Sequence, residues 1–331
     1  MNLVASPEQR QFAEAVGDLL AASEMTAVNR DWADGNPAAG LAVWRRLADL
    51  GVTALAIPSH GGGLQAHPGD LVIACEQLGY HALPGPVAES IAAVPTLLSL
   101  LDIGDRLPEL ASGATIATLA APPHLPYAAD AHVAGLVLLV DGAELRYGVP
   151  ENEWPSVDST RRVFGLRAGR TLATGRTVAP ARDRALDFGA LACAAQLLGA
   201  GRALLDASVR YAGQRVQFGR PIGQFQAVKH RLADVAIGLE FARPLLYAAA
   251  VALAGNTATA GRDTSAAKVA CADAAHRAAR AALQVHGAIG YAEEGGIARW
   301  VTKVRALIPA WGSPSVHRAR VMAALADGVL S

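Results

Sequence analysis

The chain contains 331 residues, of which 52% are apolar and 18% are charged, and its 29 basic and 29 acidic residues leave no net charge. This composition excludes a disordered chain, because enough apolar surface can be buried to offset the entropy lost on folding. A neutral chain with 5% aromatic residues also lacks the basic surface of a nucleic-acid-binding protein. We expect two or three packed units and, because a neutral apolar surface associates readily, an obligate oligomer.

Residues 1–114 are predicted to form a helical N-terminal domain. Ser6 is a suitable N-cap for the first helix. The apolar side chains of this helix recur on one face, at Phe12, Val16, Leu19 and Leu20. Two further helices are predicted over Ala42–Leu50 and Asp70–Leu78, with Gly79 as the stop signal of the second.

Residues 115–184 are predicted to form a small β-domain. Short β-like runs, separated by turns rich in Pro, Gly and Asp, occupy Ala114–Leu119, His132–Val140 and Thr171–Val178. Their spacing suits a compact barrel or sandwich.

Residues 185–331 are predicted to form a C-terminal four-helix domain. Apolar residues recur at helical spacing over Phe188–Gly213, Gln226–Leu253, Ser265–Gly287 and Pro314–Leu325. The many alanines of these segments allow helices to pack closely. The predicted fold class is therefore mainly α with a small middle β-domain.

The cysteines give no evidence for a disulfide framework or a metal site. Cys75, Cys193 and Cys271 are odd in number and far apart, so we expect buried free thiols in a reducing compartment. The first residues lack the basic and apolar regions of a signal peptide, and the uncharged stretch Pro244–Gly261 is interrupted by Pro, Asn, Thr and Gly. We expect a cytoplasmic protein without membrane insertion.

The segment Tyr211–Asp234, YAGQRVQFGRPIGQFQAVKHRLAD, is the most informative part of the sequence. A helix is predicted to end near Arg215, followed by a Gly/Pro loop and a new helix. An arginine at a helix end, beside the free amides of the next helix, suits a phosphate group. Taken alone, an arginine is more often a solvated surface residue.

The complete segment resembles the pattern YAxxRxxFGxPIxxFQxxxHxLAD of the acyl-CoA dehydrogenase family. A second pattern of that family, QxxGGxGYxxExxxxR, is matched by residues 284–299, including Gln284, Gly287 and Glu294. One position of this second pattern differs, because Ala288 stands where the family has glycine. The resemblance extends more weakly to the N-terminal third, so that it covers nearly the whole chain.

The resemblance implies a fold, a cofactor and an assembly. Members have a helical N-terminal domain, a middle β-domain and a C-terminal four-helix domain, and they form dimers of dimers with FAD held across the dimer interface. Arg215 and Gln284 would then reach the pyrophosphate of FAD seated mainly in a neighbouring subunit. The other residues that the resemblance assigns to this FAD, along its adenine and pyrophosphate end, are Gln217, Phe218, Phe225, Gln226 and Gly287.

Both positions that carry the catalytic base in this family lack a carboxylate here. One base lies twelve residues after the last arginine of the second pattern, which is Trp311 in this chain. The alternative base lies 22 residues before the tyrosine of YAxxR, which is Gly189. Asp187 is close in sequence but, at about 100° per residue, points to another helix face. A misplaced alignment at Trp311 is the alternative interpretation.

The β-domain also departs from the family pattern. Its flavin-contacting segment, TEPxxGSD in full-length members, is replaced by ATLAAPPHLPYAADAH over residues 117–132. The domain also looks shortened, and the chain's own flavin pocket is therefore expected to be degraded. The adjacent Glu293 and Glu294 cannot face each other across a substrate, and we assign them an architectural role.

These features predict a shortened, non-catalytic subunit of a heteromeric acyl-CoA dehydrogenase. A full-length family member would supply the base, the two would share FAD, and an electron-transfer flavoprotein or a similar acceptor would take the electrons. The resemblance to α2β2 assemblies favours a bulky CoA thioester, such as a steroid side-chain acyl-CoA. Two alternatives remain at this point, a homo-oligomeric non-redox enzyme acting on CoA thioesters and a structural scaffold.

Overall fold

A computed structural model describes residues 5–292 and 296–329. The N-terminal third is helical, as predicted, and it also contains a π-helical turn that the sequence did not indicate. Their bounds are α1 Pro7–Ala21, α2 Met25–Ala33, α3 Ala38–Asp49, α4 Pro68–Tyr80, the π-turn Glu89–Ala93, α5 Val94–Leu100 and α6 Leu107–Ala111.

The start of α1 follows from its sequence. The Ser6 hydroxyl accepts a hydrogen bond from the Gln9 amide at 3.2 Å, and the Gln9 side chain accepts one from the Ser6 amide at 3.0 Å. This reciprocal arrangement is a capping box, which satisfies amides that a helix start otherwise leaves free. Val16 and Leu20 are buried, and the rest of the predicted apolar face packs against the core.

The predicted stop at Gly79 is wrong, because α4 continues to Tyr80. Gly79 instead lies against the backbone of the first C-terminal helix, where a Cβ atom would stand 2.1 Å from the Gln196 carbonyl oxygen. Gly199 makes the reciprocal contact, since its Cβ would stand 1.9 Å from the Glu76 carbonyl oxygen. These two glycines allow the helix backbones to touch, so their role is in packing.

The middle of the chain forms a five-stranded mixed sheet with the spatial order β1-β3-β4-β5-β2. The strands are β1 Ala117–Ala120, β2 Ala128–Ala129, β3 Leu136–Asp141, β4 Glu144–Trp154 and β5 Val163–Thr174. β1 and β3 are parallel, and the remaining ladders are antiparallel. The edge strands β1 and β2 lie close together, so the sheet curls in the manner of a barrel.

Two details of the predicted strands are corrected. The strand predicted over Thr171–Val178 extends too far, because β5 ends at Thr174 and Gly175, with φ of 114°, turns the chain into the next helix. Strand β4 was not predicted, because its second half is mostly exposed and polar. β4 forms through its long ladder with β5.

The C-terminal region contains the four predicted helices and one that the sequence did not indicate, α10. The helices are α7 Val178–Gln214, α8 Gln226–Ala254, α9 Ala260–His286, α10 Ala298–Leu307 and α11 Pro314–Val329. α7 packs against α4, α8, α9 and α10 and forms the centre of the main core. The three cysteines are buried and free, as expected.

Two helices in the described ranges are long and apolar enough to cross a membrane, α7 and α8. The apolar window of α7 is 83% buried inside the protein, as in the core helix of a globular fold. That of α8 is only 44% buried, so part of its apolar face lies on the surface.

Candidate functional site

The connection between α7 and α8 is a short hairpin that projects from the bundle. α7 ends at Arg215, and strands β6 Val216–Gln217 and β7 Arg220–Pro221 are paired. The two turn residues, Phe218 and Gly219, have φ of 53° and 77°. This pattern is typical of a type I′ turn, in which asparagine or glycine normally occupies the first position. Phe218 therefore holds an unfavourable conformation for a bulky side chain.

Phe218 is also 91% exposed, although it is a large apolar residue. Its ring meets the ring of Phe225 edge-on, with centroids 6.1 Å apart and planes at 90°. The Arg220 guanidinium lies over the other ring, 4.2 Å from its centroid, in a cation–π contact. The hairpin thus presents aromatic faces and a cation to the outside of the chain.

The end of α9 lies beside this hairpin. Gly287 follows α9 with φ of 63° and ψ of −141°, a backbone conformation that is essentially restricted to glycine. A Cβ atom on Gly287 would meet nothing within 4 Å, so conformation rather than crowding requires glycine, and its backbone is open to an approaching group. Tyr211 of α7 stacks on His286 of α9 with ring centroids 4.3 Å apart, which ties the two helix ends together.

Two small depressions bring most of the predicted flavin-binding residues together. The loop cavity, of about 350 Å³, is lined by Gln217, Phe218, Phe225 and Gln284, among others. The C-cap cavity, of about 310 Å³, is lined by Arg280, Leu283, Gln284, Gly287 and Tyr291. Gln284 lines both depressions, so they meet at its side chain.

Arg215 and Gln226 lie at the edge of this site and do not line either depression. Both side chains are exposed, Arg215 at the end of α7 and Gln226 as the first residue of α8. The Arg215 carbonyl accepts a hydrogen bond from the Ile222 amide at 2.8 Å, which fixes the base of the hairpin. Guanidinium, carboxamide, aromatic ring and open glycine backbone form a donor set that fits the adenosine and pyrophosphate part of a dinucleotide.

Two arginines that line the depressions were not identified from the sequence. Arg231 of α8 lines the loop cavity, and Arg280 of α9 lines the C-cap cavity. Their positions on the helices could have identified them from the sequence. Arg280 precedes Gln284 by one helical turn and therefore shares its face.

Trp311 and Gly189, the two positions that the resemblance assigns to a catalytic base, are in contact with each other. The Trp311 side chain is 5% exposed, and its ring packs directly on Gly189. A Cβ atom at Gly189 would stand 2.2 Å from Cζ3 of the indole. The indole therefore occupies the space between the two positions, and neither position offers a group that could accept a proton.

The turn that carries Trp311 is held by buried polar groups. Trp311 has φ of 61°, and its carbonyl accepts a hydrogen bond from Nε2 of His317 at 2.9 Å. The neutral form of His317 can make this bond, because burial lowers its pKa to about 4. Buried Lys268 donates to the carbonyls of Leu307 and Ile308, at 3.1 Å and 3.0 Å, at the end of α10.

A buried carboxylate that the sequence reasoning missed lies beside the indole. Glu89 belongs to the π-turn Glu89–Ala93, and burial raises its pKa, while Arg161 and the Trp311 side chain act in the opposite direction. The carboxylate oxygen lies 3.8 Å from the Arg161 guanidinium. A lone glutamate in the N-terminal third carries no motif, so nothing in the sequence points to this location.

The segment that replaces the family's flavin-contacting motif offers few side-chain groups for hydrogen bonding. Its alanines are buried, at Ala117, Ala120, Ala121, Ala128, Ala129 and Ala131. Ala121 and Leu125 exchange backbone hydrogen bonds at 2.7 Å and 3.0 Å, which closes the loop between β1 and β2. Glu293 and Glu294 lie outside the described residues. Within the described ranges, no cluster of three or more His, Cys, Asp or Glu side chains suits a metal ion.

Comparison with known proteins gives a consistent result. The profile of the acyl-CoA dehydrogenase N-terminal domain matches residues 6–104, and that of the C-terminal domain matches residues 179–326. The acyl-CoA dehydrogenase IpdE2 of Mycobacterium tuberculosis is 32% identical over 288 residues, which cover 86% of this chain and 86% of that protein. IpdE2 of Mycolicibacterium smegmatis is 30% identical over 293 residues, covering 85% of this chain and 87% of that protein.

Solved structures establish the same fold. Butyryl-CoA dehydrogenase of Megasphaera elsdenii superposes with a TM-score of 0.86 at 19% identity, over 98% of this chain and 100% of that chain. The ChsE4-ChsE5 complex of Mycobacterium tuberculosis gives a TM-score of 0.83 at 22% identity, over 98% and 99%. A variant of the Tcur3481-Tcur3483 steroid ACAD gives 0.84 at 22% identity, over 99% and 100%.

Proposed function

The chain belongs to the acyl-CoA dehydrogenase family, and on that premise we propose that it is the non-catalytic subunit of a heteromeric acyl-CoA dehydrogenase. Members of this family bind FAD and are oxidoreductases that act on the CH–CH bond of acyl-CoA thioesters. In the proposed assembly, a full-length family member contributes the catalytic base and most of the flavin site. This chain contributes the surface formed by the α7–α8 hairpin and the end of α9.

The contact between Trp311 and Gly189 carries the proposal. Removal of the α-proton of a thioester requires a base within hydrogen-bond reach, and both family positions for that base are filled by an indole and a glycine in mutual contact. The surface that would serve a neighbour's flavin retains its residues and is open to the outside. The chain therefore combines an unusable proton-transfer site with an intact contribution to a shared cofactor site.

Each residue of this surface has a definite role in the proposal. The Arg215 guanidinium and the Gln284 carboxamide would hold the pyrophosphate, whose negative charge a cation stabilises. Phe218 and Phe225 would supply ring surface for the adenine, Gln217 and Gln226 would supply amide groups beside it, and Gly287 would leave room for the phosphates. FAD held there would supply hydride acceptance, and the partner subunit would supply the carboxylate for the α-proton.

The comparisons support a bulky substrate and a two-component assembly without assigning either. ChsE4-ChsE5 is a complex of two components, and the Tcur3481-Tcur3483 protein is a steroid ACAD. Both share the fold of this chain along nearly its whole length. The proposal therefore includes a two-component assembly and a bulky CoA thioester as substrate. It also includes an electron-transfer flavoprotein or a similar acceptor, which would receive the electrons.

Co-expression with a full-length family member tests the proposal. We expect flavin to co-purify with the complex at about one per pair of subunits, and the isolated chain to purify without it. Arg215→Ala and Gln284→Ala should lower the flavin-to-protein ratio of the complex while leaving the subunits associated.

The alternatives give other results. Full flavin loading and turnover by this chain alone would overturn the proposal. Product formation from an acyl-CoA without bleaching of flavin absorbance would favour a non-redox enzyme. A complex whose flavin content is unchanged by Arg215→Ala and Gln284→Ala would favour a scaffold.

A further inference from the structure

A third depression joins the loop cavity and the C-cap cavity on the same face of the bundle. This α8–α9 groove, of about 820 Å³, runs between α8 and α9 and is lined along α8 by Asp234, Ile237 and Phe241. Its end nearest the hairpin is formed by Arg231 and Arg280. Gln284 lines the loop cavity and the C-cap cavity, and each of these cavities shares one arginine with the groove.

Each of the two arginines belongs to two depressions. Arg231 lines both the loop cavity and the α8–α9 groove, and Arg280 lines both the C-cap cavity and that groove. Both side chains are exposed. Arg280 and Gln284 are one turn apart on α9, so the guanidinium and the carboxamide project from the same face toward the same space.

The electrostatic surroundings leave these charges available. Among the ion pairs of the described ranges, none includes Arg231 or Arg280. Of the two aspartates that line the groove, Asp273 is already paired with Arg318 at 2.7 Å, which leaves Asp234. Among the described residues that line the three depressions, Asp234 is thus the single carboxylate outside an ion pair, beside three arginines, Arg231, Arg277 and Arg280.

A pyrophosphate bridge carries two negative charges, whereas the resemblance assigns a single arginine, Arg215, to it. We propose that Arg231 and Arg280 are additional positioning residues for the phosphates of the shared dinucleotide, each in a cavity that Gln284 also lines. This inference rests on the proposed function and adds two residues that the family pattern does not contain. Guanidinium groups suit this role because their planar forks donate paired hydrogen bonds to phosphate oxygens.

Flavin release from the co-expressed complex tests the inference. We expect Arg231→Gln and Arg280→Gln each to raise the rate of flavin release about tenfold, measured by the recovery of free-flavin fluorescence after dilution. The dependence of this rate on NaCl concentration should also weaken in both variants, because a screened charge–phosphate contact has been removed. Arg231→Lys and Arg280→Lys should keep the salt dependence and restore only part of the retention, since a lysine supplies charge without the fork.

Arg277→Gln is the matched control. Arg277 is an exposed arginine of α9 that lines the α8–α9 groove but neither cavity, so its loss should change flavin release less than twofold. Wild-type release rates in both glutamine variants, with faster release in Arg215→Ala, would overturn this inference and leave the proposed function intact. Wild-type rates in Arg215→Ala and Gln284→Ala as well would instead overturn the proposed function.

Discussion

Trp311 and Gly189 are packed so closely that the size of each side chain limits the size of the other. The indole is nearly fully buried, and a single added methyl group at Gly189 would overlap its ring. A tryptophan at the first base position is therefore compatible with glycine at the second and incompatible with any larger residue there. This dependence couples the two positions that the resemblance assigns to the base.

Gly189→Ala should lower the free energy of unfolding by about 1–3 kcal/mol, because the added Cβ atom overpacks the ring. Trp311→Leu alone should also destabilise the chain, through the cavity that the smaller side chain leaves. The double variant should lose less unfolding free energy than the two single variants lose together, and urea denaturation measures all three losses. Strict additivity of the two changes would contradict the contact.

Gly213→Ala is the control on the same helix. Gly213 is the next-to-last residue of α7, and a Cβ atom there would meet nothing within 4 Å. This change should not lower the free energy of unfolding and should raise it by at most about 0.5 kcal/mol, since alanine is the better helix former but the position is at the helix end. A similar loss of stability from both glycine substitutions would show that the ring contact is not responsible.

His317 gives the turn of Trp311 a pH dependence. Burial lowers the pKa of His317 to about 4 from an ordinary value of 6.5, so between these values the unfolded chain binds a proton that the folded chain does not. The stabilisation is complete above pH 6.5 and is lost as the pH falls toward 4. At its full extent, the loss amounts to about 3 kcal/mol.

His317→Gln should remove this dependence while keeping a donor for the Trp311 carbonyl. The difference in unfolding free energy between wild type and variant should shrink as the pH falls from 7 to 4, as measured by urea denaturation at each pH. Asp130, whose pKa burial raises to about 7, acts in the opposite direction but is present in both proteins and cancels from the difference. A difference that is independent of pH would contradict a neutral buried His317.

The hairpin between α7 and α8 is an element whose sequence does not suit its own turn. Its two turn residues adopt left-handed conformations, and the first is a phenylalanine that is almost fully exposed. Neither feature stabilises an isolated chain, because the conformation is strained and the ring is not buried. Within this chain the ring contacts only the edge of Phe225 among the described aromatic rings, and in the proposed assembly the shared cofactor would cover the rest of it.

Phe218→Asn separates folding from function in this element. Asn-Gly is the preferred pair for a type I′ turn, so the variant should unfold with a free energy about 0.5–1 kcal/mol higher than wild type. The co-expressed complex should nevertheless retain less flavin, because the ring surface for the adenine is lost. Unchanged flavin retention would show that the Phe218 ring does not contact the cofactor.

A helix or strand could be predicted from the sequence where its own apolar residues recur at regular spacing. The long helices α7, α8 and α9 meet this condition, because their apolar residues recur over many turns. β4 does not, because it forms through its ladder with β5 while most of its side chains stay in solvent. The helix α10 has only ten residues, so its apolar residues recur over too few turns to predict it.

The candidate site also has one part that the sequence could predict and another that it could not. The hairpin and Gln284 lie in two compact sequence patterns, so the resemblance to the family was enough to place them. Glu89 beside Trp311, and the contact of Trp311 with Gly189, join residues from distant parts of the chain. Such contacts are produced by helix packing and have no local sequence pattern.

At the scale of the whole molecule, the described surface leaves a row of apolar side chains of α8 exposed to solvent. α8 presents an apolar stripe with a spacing of four residues, in which Ile237, Phe241 and Leu245 are 52%, 73% and 44% exposed. Side chains spaced in this way lie on one helix face. A stripe of this kind on a neutral chain favours burial against another subunit, since isolated proteins rarely leave such continuous apolar surface in water.

Phe241→Glu should therefore weaken the assembly by more than tenfold, because a desolvated carboxylate would replace the largest side chain of the stripe. Sedimentation velocity over a range of protein concentrations measures this shift toward smaller species. Leu64→Glu changes another exposed apolar residue, at 58%, that lies in the N-terminal third, so its assembly should match wild type. Equal dissociation in both variants would show that an added surface charge weakens the assembly wherever it is placed. Wild-type assembly of Phe241→Glu would place the subunit contact on a different face. Because the residues around Gln284 open onto the groove that Phe241 also lines, a subunit seated on this stripe would lie next to the shared cofactor surface.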